Sequence, residues 1–155
     1  MAIKMTRFFY GFCLTITLSL LQACSGDRVF EAYQGMEKQS WNINDTVSFD
    51  LNPQENTIGL IAVKYNTDYA YRNLYFKYFL SDSAGNTLES QLLNIRLFDS
   101  KEGKPTGKGF GSTFTRMDTL PIESHDQYHK IEFVQYMRVD DLEGIEAIGF
   151  KQVKK

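Results

Sequence analysis

The chain has 155 residues, 23% of them charged and 43% hydrophobic, the proportions of one globular domain and not of a disordered polymer. Lysine plus arginine is 17 against 19 aspartates and glutamates, a net charge of −2, which gives no electrostatic reason for a nucleic-acid partner. Two cysteines, Cys13 and Cys24, are too few for a disulfide framework or a four-thiolate zinc site, so packing must hold the fold.

Lys4 and Arg7 give the chain a positive start, and residues 8–21 are an apolar run of fourteen. That is the length of a secretory h-region and too short for a spanning helix, so residues 1–23 read as a cleaved signal peptide. The run ends in Leu21-Gln22-Ala23-Cys24, which resembles the lipobox of bacterial lipoproteins. Such a motif needs a small residue, here Ala23, before the scissile bond. It needs the Cys24 thiol to carry a diacylglycerol. Each buried methylene contributes about 0.8 kcal/mol, so the two or three chains of such an anchor, palmitate among them, would hold the protein on a membrane. Ser25 and not aspartate follows the cysteine. By analogy with enterobacterial lipoproteins the inner-membrane retention signal is then absent, and the outer membrane is the expected location. Residues 24–28 form a short tether that keeps the domain near the bilayer.

Cleavage would leave 155 − 23 = 132 residues, enough for one core. Lys4 and Arg7 leave with a leader that carries no acid, so the mature chain has 17 − 2 = 15 cations against 19 acids, a net of −4. Cys13 leaves too, and no disulfide is possible.

Residues 29–155 read as a single β domain without repeat or linker. Val47, Phe49 and Leu51 alternate with polar neighbours, the period of a strand with one wet face. Residues 58–65 are apolar on both faces and belong at the centre of a sheet. Residues 71–80 and 87–98 form a hairpin about the turn-forming stretch 82–86. Strands follow at 110–119, 129–139 and 145–153. The best helical stretch is a turn or two at residues 31–38, where Gly35 limits its length. The expected fold is an all-β antiparallel β-sandwich, with a jelly roll as the candidate topology.

Few constellations carry chemistry. Residues 103–109, Gly-Lys-Pro-Thr-Gly-Lys-Gly, lack the spacing and the following helix of a phosphate loop, so no nucleotide site is expected; a connection with left-handed glycines is the reading. His125 and His129, with Asp126 and Glu132 nearby, have ligand-like identities. On a strand, however, residues four apart lie about 13 Å from each other, and no metal or other cofactor is expected. Asp140 and Asp141 are adjacent acids in a turn. No Ser-His-Asp or Cys-His set is proposed, so the chain is not read as an enzyme.

Aromatic residues are in excess: 12 phenylalanines, 9 tyrosines and 1 tryptophan, of which only Phe8, Phe9, Phe12 and Tyr10 leave with the leader. Tyr65, Tyr69, Tyr71, Tyr75 and Tyr78 crowd one hairpin. They serve either as core or as a face for a sugar or a protein, and an exposed row joined by Trp41 would mark a carbohydrate-binding surface lipoprotein. Asp45-Thr46-Val47, Asp82-Ser83-Ala84 and Asp118-Thr119-Leu120 resemble an O-glycosylation motif of exported proteins in gliding bacteria, making Thr46, Ser83 and Thr119 candidate modification sites.

The lipobox, residues 27–33 (Asp-Arg-Val-Phe-Glu-Ala-Tyr), Trp41-Asn42, residues 66–75, Met137-Arg138, residues 141–145 and Ile148-Gly149 follow in order along the whole chain. Together they resemble the gliding-motility lipoprotein H family (GldH). The resemblance implies a non-enzymatic cell-envelope lipoprotein of the gliding apparatus with protein partners linked to type IX secretion. It implies no catalytic residue. Because it concentrates at residues 69–75 and 140–144, Tyr69, Tyr71, Tyr75, Asp141 and Gly144 are the candidate partner-contact residues. Gly144 has a second reading, a turn that requires positive φ before the last strand.

Overall fold

In the computed structural model the described residues are 27–123 and 127–155. Ala23, Cys24 and the whole leader, and likewise His125 and Asp126, lie outside them.

Among the described residues eleven strands run in chain order: β1 (Arg28–Gly35), β2 (Ser40–Asn42), β3 (Val47–Asp50), β4 (Thr57–Asn66), β5 (Asn73–Ser81), β6 (Thr87–Arg96), β7 (Lys108–Phe110), β8 (Thr113–Thr119), β9 (Lys130–Gln135), β10 (Asp141–Glu143) and β11 (Ile145–Lys154). Their pairing is nested. β1 pairs with β11, β2 with β10, β3 with β9, β4 with β8 and β5 with β6, all antiparallel. The chain is therefore one long two-stranded ribbon folded back at residues 82–86. Two further ladders, β4 with β11 and β5 with β9, roll that ribbon into sheets of order β1-β11-β4-β8-β7 and β3-β9-β5-β6. These are the pairings of a jelly roll, so both the sandwich and its candidate topology hold.

Alternation puts the core between the two sheets. β3 buries Val47 and Phe49 and exposes Ser48 and Asp50. β4, flanked by β11 and β8, has the central place its apolar character called for. Phe133 lies at the centre of an aromatic cluster, 6.4 Å from Phe49, 6.1 Å from Phe76 and 6.3 Å from Phe150 between ring centroids. The cluster joins β3, β5 and β9 of one sheet to β11 of the other.

Three expectations need correction. Residues 31–35 are not helical: they complete edge strand β1, because Phe30 and Ala32 alternate toward the core while the backbone pairs with β11. Only a 3-10 turn follows at Glu37–Gln39, with Lys38 and Gln39 at positive φ of 54° and 56°. The strand expected at 110–119 is interrupted by Gly111, at φ 64°, which turns β7 into β8. The strand expected at 129–139 ends at Gln135.

Of the glycines in 103–109 only Gly103 is left-handed, at φ 65°. The others allow backbone contact with β8: a Cβ on Gly109 would stand 2.1 Å from the Thr113 carbonyl oxygen, and one on Gly107 would stand 2.7 Å from that of Thr115.

The topology sorts the connections between two ends of the sandwich. The described N-terminus, the C-terminus, the β3–β4 connection and the 82–86 turn share one end, since Arg28 pairs with Val153, Val153 with Ile58 and Ser81 with Thr87. Residues 36–46, 66–72, 97–112 and 136–144 gather at the other, about 23 Å away by the rise along β1.

Truncating Phe133 to alanine opens a cavity in the shared cluster and should cost about 3–5 kcal/mol in denaturant unfolding. Phe110→Ala, at a position 95% exposed, should change stability by less than about 0.5 kcal/mol. A second expectation concerns acid. Partial burial works to raise the Glu146 pKa, but its bonds with Lys64 (3.1 Å) and Thr113 (3.0 Å) outweigh that and hold it below the usual carboxylate value. A folded pKa below the unfolded one of about 4.3 stabilises the fold above that pH. The contribution is lost as pH falls through the folded value. The stability difference between wild type and Glu146→Gln should therefore shrink on acidification below about pH 4, read from unfolding curves.

Candidate functional site

The two segments named as candidate contacts, far apart in sequence, meet at the end of the sandwich remote from the chain termini. The Asn66 amide donates to the Gly144 carbonyl at 2.9 Å and the Gly144 amide to the Gln39 carbonyl at 2.9 Å. Gly144 has φ +83°, and a Cβ there would lie 2.4 Å from the Tyr69 nitrogen. Its turn reading therefore holds, and the need for glycine is doubled by the close approach. Asn66 is buried: its Nδ2 donates to Gln39 Oε1 at 2.8 Å while its Oδ1 accepts from the Asp68 amide at 2.9 Å.

The candidate tyrosines divide. Tyr69 is a core residue, 4% exposed, its hydroxyl donating to the Asn73 carbonyl at 2.8 Å, and burial raises its pKa. It supports the candidate contact segment from beneath and offers almost no surface of its own. Tyr71 and Tyr75 are exposed, at 41% and 42%. Tyr65 and Tyr78 are fully buried. The Tyr65 hydroxyl donates to the Leu97 carbonyl at 2.7 Å and accepts from the Gly107 amide at 3.1 Å, pinning the 97–107 crossover.

Trp41 is buried as well, donating from Nε1 to the Asp45 carbonyl at 2.9 Å. The exposed aromatic row joined by Trp41 that would mark a glycan surface is therefore not formed. Thr46, Ser83 and Thr119 are all exposed, the first at the loop-rich end and the other two at the opposite end.

Two concave surfaces flank residues 42–46. One, about 510 Å³, is lined by Glu37, Asp45, Asp68, Asp141 and Glu143, with Lys38 beside them. Asp141 is held there, its Oδ1 accepting from Asn42 Nδ2 at 2.7 Å. Among the described residues no three His, Cys, Asp or Glu side chains are placed to hold a metal. His129 lies at the opposite end, its amide donating to the Ser81 carbonyl at 2.8 Å.

The other, about 1070 Å³, is an apolar groove whose lining includes Ile43, Tyr71, Tyr75, Leu92, Tyr136 and Met137. Gln135 organises its floor. This glutamine sits at an inward position of β9 and is 2% exposed. Its Nε2 donates to the Val139 carbonyl at 2.9 Å, and its Oε1 accepts from the Met137 amide at 2.7 Å. The Tyr136 amide in turn donates to the Tyr75 carbonyl at 2.8 Å, and the Met137 sulfur lies 3.4 Å from the Tyr75 nitrogen. Sequence reasoning missed Gln135, Tyr136 and Ile43. The legible signal was a glutamine on the apolar phase of an alternating strand, a polar group that must find partners once buried.

Gln135→Leu keeps the volume but leaves the Val139 carbonyl and Met137 amide unmatched. It should cost about 2–4 kcal/mol in urea unfolding and speed hydrogen exchange at residues 136–140.

No curated protein matches the chain. Solved structures with partial likeness include the VP2 subviral particle of infectious bursal disease virus, 11% identical over 81% of this chain and 30% of that one, at a TM-score of 0.34. Another is the K3 cleaved adhesin domain of Lys-gingipain from Porphyromonas gingivalis, 12% identical over 71% of this chain and 63% of that one, at 0.31. The chain spans less than two thirds of the length of either. The model of the GldH lipoprotein family, by contrast, matches residues 28–151, nearly the whole described sandwich. The chain belongs to the GldH lipoprotein family.

Proposed function

We propose that this protein is a non-enzymatic outer-membrane lipoprotein that works as a contact component of the gliding-motility apparatus linked to type IX protein secretion. Its family carries the reading: the GldH lipoprotein model matches residues 28–151. Ala23-Cys24 is the cleavage and lipidation site, and Cys24 bears the acyl chains. Cys24 is three residues from Asp27, which limits it to about 11 Å from the described chain. The anchor then stands at the terminus-bearing end of the sandwich. Tyr71, Tyr75, Asp141 and the turn held by Gly144 stand at the other, on the side turned away from the anchored leaflet, where a partner can reach them.

Cys24→Ala should move the protein from the membrane to the soluble fraction, as read by fractionation and by loss of the acyl mass. In-cell photo-crosslinking from Tyr75 in the anchored protein should recover gliding or type IX secretion components. A protein that stays membrane-bound without Cys24, or crosslinks that return only glycan transporters, would overturn the reading.

A further inference from the structure

The apolar groove is exposed without a cover. Ile43, Tyr71, Tyr75, Leu92 and Tyr136 are each between 41% and 60% exposed, yet they line one continuous concavity. Contiguous apolar surface of this kind on a soluble domain marks a binding face, and tyrosine, methionine and arginine are the residue types that anchor protein interfaces.

Its charge has one sign. None of the lining residues is acidic, and Arg138 is among them. Arg72 stands between Tyr71 and Asn73, Arg96 pairs across with Asn73, and Lys77 lies in register with Leu92 and Val134. Among the described residues none of these four cations makes an ion pair. In a chain whose net charge is negative, this is a local excess of positive charge that complements an acidic ligand.

The groove also borders an open sheet edge. Leu92 belongs to β6, the outermost strand of its sheet. Past an irregularity at residue 88, β6 pairs with β5 in unbroken register from Glu89 to Arg96, and it contains no proline; Thr106 Oγ1 caps its end at the Arg96 carbonyl, at 2.7 Å, so the edge available to a strand is residues 90–94. The other edges are shorter: β7 has three residues, β3 has four, and β1 keeps unbroken register over six, Phe30 to Gly35, against eight in β6. Only an extended polypeptide can use the backbone groups of such an edge, which favours it over a lipid headgroup or a glycan.

We propose that this groove and the adjoining β6 edge dock an extended, acidic segment of a partner protein, its apolar side chains on Tyr75, Tyr136 and Leu92 and its carboxylates beside Arg72, Arg96 and Arg138. The proposal deepens the contact role given above and rests on it.

The full-length protein in detergent micelles, titrated with a fluorescent peptide of alternating glutamate and valine, tests it by anisotropy. The acidic peptide should bind at least about tenfold more tightly than its lysine counterpart and than a version with proline in place of alternate valines. Tyr75→Ala and Arg138→Glu should each weaken it about tenfold with unchanged unfolding midpoints, and Phe110→Ala should leave it unchanged. Equal binding of acidic and basic peptides, insensitivity to both variants, displacement by phosphatidylglycerol vesicles, or self-association through the groove in sedimentation would each overturn the proposal. If peptide binding fails while Tyr75 still crosslinks to the machinery, only the acidic-strand chemistry falls. Loss of both removes the contact role as well.

Discussion

The ladder between β4 and β11 is the constraint on which the rest of the molecule depends. Nested pairing by itself makes only a flat ribbon, and that ribbon buries nothing until its two halves are turned against each other. Pairing Ile61 with Phe150 and Val63 with Ile148 closes the roll and aims Phe150 at Phe49 and Phe133 of the facing sheet. The aromatic cluster is thus a consequence of register. A slip of one residue would point these rings at solvent and leave the interior empty. Because the ladder joins residues near 60 to residues near 150, most stabilising contacts are non-local, the signature of slowly folding β architectures.

That same closure decides where chemistry can sit. A rolled ribbon sends its termini and one set of connections to one end and the other four connections to the opposite end. At the loop-rich end two buried amide side chains do what strand pairing no longer can. Asn66 ties the 36–39 turn to the start of the tyrosine-rich connection, and Gln135 holds residues 137–140 in place after β9 stops. Both satisfy backbone groups that would otherwise be lost to burial. The result is a rigid end with an acidic cleft and a basic apolar groove on either side of residues 42–46. An arrangement rich in fixed, exposed tyrosine suits recognition, since large rigid side chains lose little entropy on contact.

Much of the fold was legible because its signal is local. The alternation of Val47, Phe49 and Leu51, the two-faced apolarity of β4 and the turn chemistry of residues 82–86 each report one strand or one hairpin. Misreadings arose where a partner strand overrode a local cue. Residues 31–35 have adequate helical character, but β11 offers them a ladder. Gly107 and Gly109 look like flexible punctuation, yet they serve close packing against β8. The tyrosines show the limit most plainly. Tyr69 and Tyr71 stand two apart in the same connection, and the packing of Phe98 and Gly144, both distant in sequence, against Tyr69 puts it in the core while Tyr71 stays exposed.

By itself the sequence determined the all-β class, the places of the long central strands and of the 82–86 hairpin, and the positive-φ requirement at Gly144, and it raised the expectation of a leader with a lipobox at Cys24. Each of these rests on a periodicity or on the chemistry of a few adjacent residues. Tertiary structure alone decided the rolled pairing, the burial of Trp41 and Tyr69, the separation of the loop-rich end from the termini, and the union of Ile43, Tyr75, Leu92 and Tyr136 in one groove. These depend on which strands lie side by side, and long-range register is a cooperative property of the packed core that no local stretch of residues encodes.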